Sequence, residues 1–600
     1  MLRPLVLLAA LFVDRPVAPG PASVPCAARH VSWVPSADRL YVAGRATCTL
    51  GDLARLAPDA PLAEVSPGVW FLETNLHLQR GATLVVDGTV RGGDADELRL
   101  LSDSSGFVEL RAEWGTVLLR STRVTSWDPG ADAPDTDVDN GRALVRVVSY
   151  LDGDTPRESR MDVIASDIGY LGYYAAESYG LVWKVRDPTP DVFDVVDVFG
   201  DILDSTVHHN YFGMYSYGAY GMRITGNTFH DNVQYGIDPH DDSDALVIED
   251  NETRDNGNHG FICSKRCDRL TVRRNVSRGN VGTGFMFHRG VTGSVLEDNL
   301  AEDNRDAGFA IMDSHANTVR GNVARGNAYG VRLSVGASDN RIVGNDLRAN
   351  TLYGLYLYRG SDVPTINDGR PTGNLFEDND VSGNGALGLR ASSMVGNDFI
   401  GNNLADNAEY AAFIYDADAN RFTGNSLGGS WIRADGASHN EVVDSDATGL
   451  QLDGGDAIMT FTDSTGRVFE NGASLATRVG AEGSSVTFTG GDIAGVVGVD
   501  VVTLQVLPQG GDVRVSLDAW GATRRVWRTS PDSADRARFV IGALGRGSTH
   551  VLSVDGVARG TVRADVDGSV TFEEDVASAR HFELLSAAAD LRPGPVRAGR

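Results

Sequence analysis

Positive charge is scarce in this chain: 53 Lys and Arg stand against 81 Asp and Glu, a formal net charge of −28. That balance argues against nonspecific binding to nucleic acid or anionic membranes, which requires a basic surface. Long apolar runs are missing too. No stretch of 18 apolar residues occurs, so no segment suits a bilayer-spanning helix. The apolar run from Pro4 to Val13 is shorter; with its basic start and the small residues near Ala22 and Ser23, it resembles a secretory signal over residues 1–25. Cysteine is confined to Cys26, Cys48, Cys263 and Cys267. In an oxidising compartment these read as two disulfides, 26–48 and 263–267, and no H-x-x-x-H accompanies them to support zinc.

Glycine, by contrast, is abundant at 70 residues, and much of it is periodic. Gly236, Gly260, Gly284, Gly308, Gly330 and Gly354 are spaced 24, 24, 24, 22 and 24. Asparagines keep the same period, at 251, 275, 299, 322 and 345, and again at 232, 256, 280, 304, 327 and 350. After each glycine, positions +1 and +3 are almost uniformly apolar (Ile237/Pro239, Phe261/Cys263, Phe285/Phe287, Phe309/Ile311), whereas +2 and +4 are mixed. Alternation with period two is a strand with one buried face. About 24 residues fit a coil of three short strands, stacked ~4.8 Å from the next. The expected fold is all-β: a right-handed parallel β-helix over residues 69–487, preceded by a capping segment at 26–68. Asparagine is expected to ladder between coils and glycine to supply corners with φ > 0. A ten-residue insertion falls in Ser361–Gly373. Residues 497–586 lose the period but keep alternating strands, which reads as a small β-sandwich; 587–600 reads as a disordered tail.

The period also converts sequence distance into geometry. In "YGIDPHDDSDA" (Tyr235–Ala245), His240 occupies an outward +4 position, followed one and two coils later by Ser264 and His288. The +5 column reads Asp241, Lys265, Arg289, Asp313, and Arg266 follows Lys265. An imidazole beside three cations suits removal of a proton next to a carboxylate, the cations neutralising the enolate-like charge. Asp238 is expected to orient His240. Against this, a lone histidine is more often a solvated side chain, and the cations can equally be a charge ladder. A calcium loop finds no glycine where its tight turn needs one.

"YGIDPHD", preceded by "HHNYFGMYSYGAYGMRITGNTFHDN" (His208–Asn232), resembles the bacterial mannuronan C5-epimerases, the periplasmic alginate epimerases, as does "LGYYAAESYGLVWKV" (Leu171–Val185). The likeness spans roughly residues 90 to 360. It implies that His240 removes the C5 proton of a uronate. A family pattern "HGIIxSR" places the carboxylate-neutralising cation at Lys265 here, with Arg266 beside it in "HGFICSKRC". The family has an acidic residue where this chain has His288. The expected catalytic set is therefore His240, Asp238, Lys265 and Arg266, with Tyr235, Asp241, Arg289, His288, Asn280 and Asp313 contacting substrate; His288 is also a candidate second proton donor. The reading is a secreted or periplasmic monomer acting on an acidic polysaccharide, with no cofactor, metal ligand, nucleic acid or membrane insertion. Elimination by a lyase, a non-catalytic glycan-binding β-helix and a copper- or calcium-handling one remain as alternatives.

Overall fold

The computed structural model describes residues 24–186 and 192–428 continuously, and residues 430–587 with gaps before 544, the longest being 489–503. The signal-like segment before residue 24 and the tail after 587 lie outside the described residues. The middle of the chain is a parallel β-helix with three strand-bearing faces. One face stacks Arg223–Thr225, Val247–Glu249 and Thr271–Arg273. A second stacks Thr206–His208, Thr228–His230 and Glu252–Arg254. The third carries Phe212–Tyr217, Ile237–His240, Phe261–Ser264 and Phe285–His288, all parallel. Short strands suffice because each coil buries its apolar side chains against neighbours rather than within itself. Ile237, Phe261, Phe285 and Phe309 are all buried in the interior.

The asparagine tracks are ladders. Asn232 donates its backbone N–H (3.2 Å) and its side-chain Nδ2 (2.8 Å) to Asn256 Oδ1. Asn256 does the same to Asn280, and Asn280 to Asn304. Each buried amide thus satisfies groups that the tight turns leave unpaired. The rung spacing lengthens to 34 residues at Asn340–Asn374, Asn345–Asn379 and Asn350–Asn384, which is one coil plus the insertion.

The periodic glycines have a different role from the one expected. Gly236, Gly284 and Gly330 are not left-handed; a Cβ there would come within 2.5–2.7 Å of the next coil's glycine carbonyl. Close backbone approach selects glycine at these sites. The left-handed corners are shared between other glycines, among them Gly226, Gly279 and Gly321, as expected, and non-glycine residues such as Asp231, Asp255 and Arg274, aspartate being tolerated there because its side chain bonds locally.

The first coil is built by Arg39–Ala43 and Ala46–Thr49, which pair parallel with Asn75–Gln79 and Thr83–Asp87. The helix Leu50–Leu56 packs beside them, started by Thr49 and burying Leu50 and Leu53. The Cys26–Cys48 and Cys263–Cys267 disulfides are both formed. At the C-terminal end, antiparallel strands replace the coils. A six-stranded sheet containing Val513–Trp520, Arg524–Pro531 and Arg580–Ser586 faces a three-stranded sheet of Leu504–Gln509, Arg536–Ile541 and Val570–Asp575. Phe539 of the small sheet packs 4.8 Å from Phe582 of the large one, which stacks on Trp527 at 5.0 Å. Leu475–Val479 joins the larger sheet antiparallel, while Val486–Phe488 pairs parallel with the helix strand Gly466–Asn471. No helix among the described residues is long and apolar enough to cross a membrane.

Candidate active site

His240 ends the strand Ile237–His240, and the sheet register aligns Tyr217, His240, Ser264 and His288 in one column. The next residues, Asp241 and Asp242, have positive φ. That turn brings the Asp241 carboxylate against His240 Nδ1. Asp241 also pairs with Arg266 Nη2 at 2.8 Å and lies 3.8 Å from Lys265 Nζ. Burial opposes its charge, but His240, Lys265 and Arg266 together hold its carboxyl below the ordinary range. The group that holds the imidazole is therefore Asp241, not Asp238.

Asp238 is 1% exposed, and its Oδ1 has no hydrogen-bond partner among the described residues. Its cross-strand neighbour is Tyr215. Burial first, and the Asp241 charge second, raise its pKa well above the ordinary carboxylate value. Tyr179, Tyr215 and Tyr235 sense it in turn: burial and then Asp238 raise each phenol, Tyr235 to about 12. These rings belong to an aromatic wall with Phe212, Tyr211 and Tyr217. Tyr215 and Tyr217 lie 5.5 and 6.3 Å from the His240 ring. Neither was singled out from the sequence. Carrying the glycine phase back to Gly213 would have found them, since they occupy its +2 and +4 positions.

The cations divide into different roles. Arg266 bonds both Asp241 and Asp242. Arg289 is taken by the insertion, pairing with Asp362 at 2.7 Å. Lys265 remains 44% exposed and, among the described residues, has only the 3.8 Å Asp241 contact as an ion pair. On the other side of His240, the register continues from Tyr217 to Lys184, which pairs with Glu177. The chain contains two lysines in all, Lys184 and Lys265, and both flank the His240 column. The Cys263–Cys267 disulfide brackets the turn of Lys265 and Arg266, both left-handed at φ 72° and 53°.

Other sequence candidates fall elsewhere. Asn280 is fully buried in its ladder, bonded to Asn304 and Thr253, and faces no groove. Asp313 accepts from Thr365 of the insertion at 2.9 Å. His288 shares the column of His240, but burial and then the Arg289 charge lower its pKa to about 4. At neutral pH it is a neutral imidazole with no acidic proton to return. Tyr235 stacks on His259 at 5.5 Å, two residues before the strand that carries His240. Among the described residues, the side chains spaced to hold a metal are His209, His230 and Asp231, near the end of the second face.

The chain is similar to the mannuronan C5-epimerases. That of Pseudomonas fluorescens is 31% identical over 215 residues, 34% of this chain and 36% of the relative. AlgG of Azotobacter vinelandii is 31% identical over 205 residues, with the same shares covered. The chain thus spans little more than a third of the length of the curated relatives it matches. The crystal structure of the periplasmic alginate epimerase AlgG shares the fold at a TM-score of 0.50 and 24% identity, covering 58% of this chain and 80% of that one. The family described as "Periplasmic copper-binding protein (NosD)" matches residues 198–356.

Proposed function

We propose that this chain is a polyuronate C5-epimerase, converting D-mannuronate to L-guluronate residues within a polymer such as alginate. The carrying observation is the His240–Asp241–Lys265 group on an outward strand end, supported by the 31% identity to mannuronan C5-epimerases. Asp241 holds a proton on His240 Nδ1, leaving the Nε2 lone pair to take the C5 proton. The electrons left at C5 delocalise into the C6 carboxylate, where Lys265 offsets the developing charge. A proton from solvent then returns to C5 on the opposite face. Arg266 keeps Asp241 in place, and the tyrosine wall seats the sugar rings. No cofactor enters this chemistry.

The substrate is an acidic polysaccharide, and the molecule acts as a monomer. Export is the location that fits the signal-like start and both disulfides. We assign residues 69–487 to the catalytic β-helix, 26–68 to its cap and 497–586 to a separate sandwich domain.

Incubation with polymannuronate in heavy water tests the reading. New guluronate signals in the NMR spectrum, with deuterium at C5, are expected from the native protein and absent from His240→Ala. Growth of unsaturated-uronate absorbance would assign a lyase instead. Unchanged polymer across several polyuronates would sink both.

A further inference from the structure

Three of the chain's 12 histidines gather near one corner of the coil, and the proposed reaction uses none of them. Thr206–His208 and Thr228–His230 are neighbouring strands whose register sets His208 beside His230, rings stacked 5.2 Å apart. Each strand is followed by a left-handed residue, His209 and Asp231, both at φ 53°. The outcome is a two-by-two block of side chains on adjacent coils. In the next coils the same positions hold Arg254 and Asp255, then Arg278 and Gly279. The imidazoles are confined to this block.

The donor atoms of His209, His230 and Asp231 all lie within 4.8 Å of one another. Hydrogen bonds decide which nitrogens are free. His208 Nε2 donates to Asp167 Oδ1 at 3.2 Å, so its Nδ1 lone pair accepts from His209 Nδ1 at 2.8 Å. His209 is left with its lone pair on Nε2. His230 Nδ1 lies 2.6 Å from Asp231 Oδ2, so an ion held by both takes the place of the proton between them. Asp167 fixes His208 behind His209, an outer support of the kind that orients a metal-ligating imidazole. Tyr170 stacks on the His209 ring at 4.8 Å and steadies it. His208 and His230 are each 17% exposed and Asp231 44%, so an ion can enter from solvent.

We propose that His209, His230 and Asp231 bind one transition-metal ion of the zinc, nickel or copper class, bridging two adjacent coils. Two imidazoles and one carboxylate suit that class, whereas magnesium and calcium favour all-oxygen sites. Metal bonds of ~2.0–2.1 Å draw the three donors together by small rotations of part-exposed side chains. The three ligands leave a coordination position open. His209 lies three residues before the strand Phe212–Tyr217, which carries Tyr215 and Tyr217, so the ion would also pin the chain entering the groove wall.

The test uses untagged protein stripped with a chelator, exposed separately to Zn²⁺, Ni²⁺, Cu²⁺ and Ca²⁺, and freed of excess before elemental analysis. About one equivalent of at least one transition metal is expected on the native protein, with little Ca²⁺. His209→Gln and His230→Gln should each lower retention at least tenfold, while His315→Gln, outside the block, should not. A metal-dependent rise in melting temperature, present in the native protein and lost in both variants, gives a second readout. Equal retention by native protein and variants, equal retention of Ca²⁺, or none by the native protein overturns the proposal. Polysaccharide is absent throughout, so these outcomes stand apart from the epimerase reading.

Discussion

Asp238 and Asp241 flank His240 in the chain, yet their environments push them in opposite directions. Asp241 is held below the ordinary carboxylate range by His240 and the cations around it, whereas burial among tyrosines pushes Asp238 well above it. A carboxyl whose folded pKa is raised contributes stability that is fully present below its unfolded pKa of ~3.9 and lost as pH rises through the folded value. Asp238→Asn removes that titration while keeping the shape, so the variant should melt above the native protein at pH 8 and converge with it toward pH 4. Thermal melts across pH measure this, and a pH-independent offset would show that Asp238 does not titrate on folding. Lys265 carries the complementary prediction. Lys265→Met should lower kcat/KM on polymannuronate about 100-fold, in line with loss of one preorganised transition-state partner, and Lys265→Arg should recover most of it. If Lys265→Met retains full turnover, Arg266 or Lys184 neutralises the carboxylate instead. The sequence showed His240, Asp241 and Lys265 as neighbours because one period equals one coil. It did not show that Asp238 is secluded, since the tyrosines enclosing it come from earlier coils. Nor did it show that Arg289 and Asp313 are occupied, because their partners, Asp362 and Thr365, lie in an insertion that obeys no period.

Two elements hold this site, and they fail differently. The ladder is continuous, so truncating one rung orphans donors on one side and acceptors on the other. Asn280→Ala removes the acceptor of Asn256 and the donor to Thr253 and Asn304. A loss of about 2–4 kcal/mol is expected by chemical denaturation, with kcat unchanged in the folded fraction because Asn280 does not face the groove. A change in kcat alone would restore it as a substrate contact. The Cys263–Cys267 loop is local by comparison. Closing five residues stabilises by about 2 kcal/mol in the loop-entropy account, while the ladders hold the coil with or without it. The paired substitution Cys263→Ser with Cys267→Ser should therefore leave the protein folded but free the Lys265–Arg266 turn from its left-handed conformation. Steady-state kinetics should show kcat/KM reduced about tenfold; an unaltered value would mean that the cross-coil bonds Lys265 N–H to His288 O and Arg266 N–H to Arg289 O suffice. The ladders were plain in the sequence because asparagine repeats wherever an identical turn repeats. The function of the periodic glycines was not, since close approach between coils and left-handed geometry both select glycine, and only the backbone separates them.

For the whole molecule, the central electrostatic fact is that a chain of net charge −28 is proposed to bind a polyanion. Composition made the global sign legible, and the coil register made the local exception legible, with Lys184 and Lys265 on either side of His240. The two fields have different ranges. Repulsion between the molecule and the polymer acts over tens of ångströms and is screened when the Debye length falls from ~30 Å at 0.01 M salt to ~10 Å at 0.1 M. The contact between Lys265 and one uronate carboxylate acts over a few ångströms and yields only at higher salt. KM for polymannuronate should therefore fall as salt rises from 0.01 to 0.1 M, pass through a minimum, and rise again toward 1 M. Initial rates at fixed pH across that series measure it. A KM that rises monotonically from the lowest salt would mean that the groove's own cations dominate the encounter at every distance, and that the acidic faces of the coil are turned away from the approaching polymer.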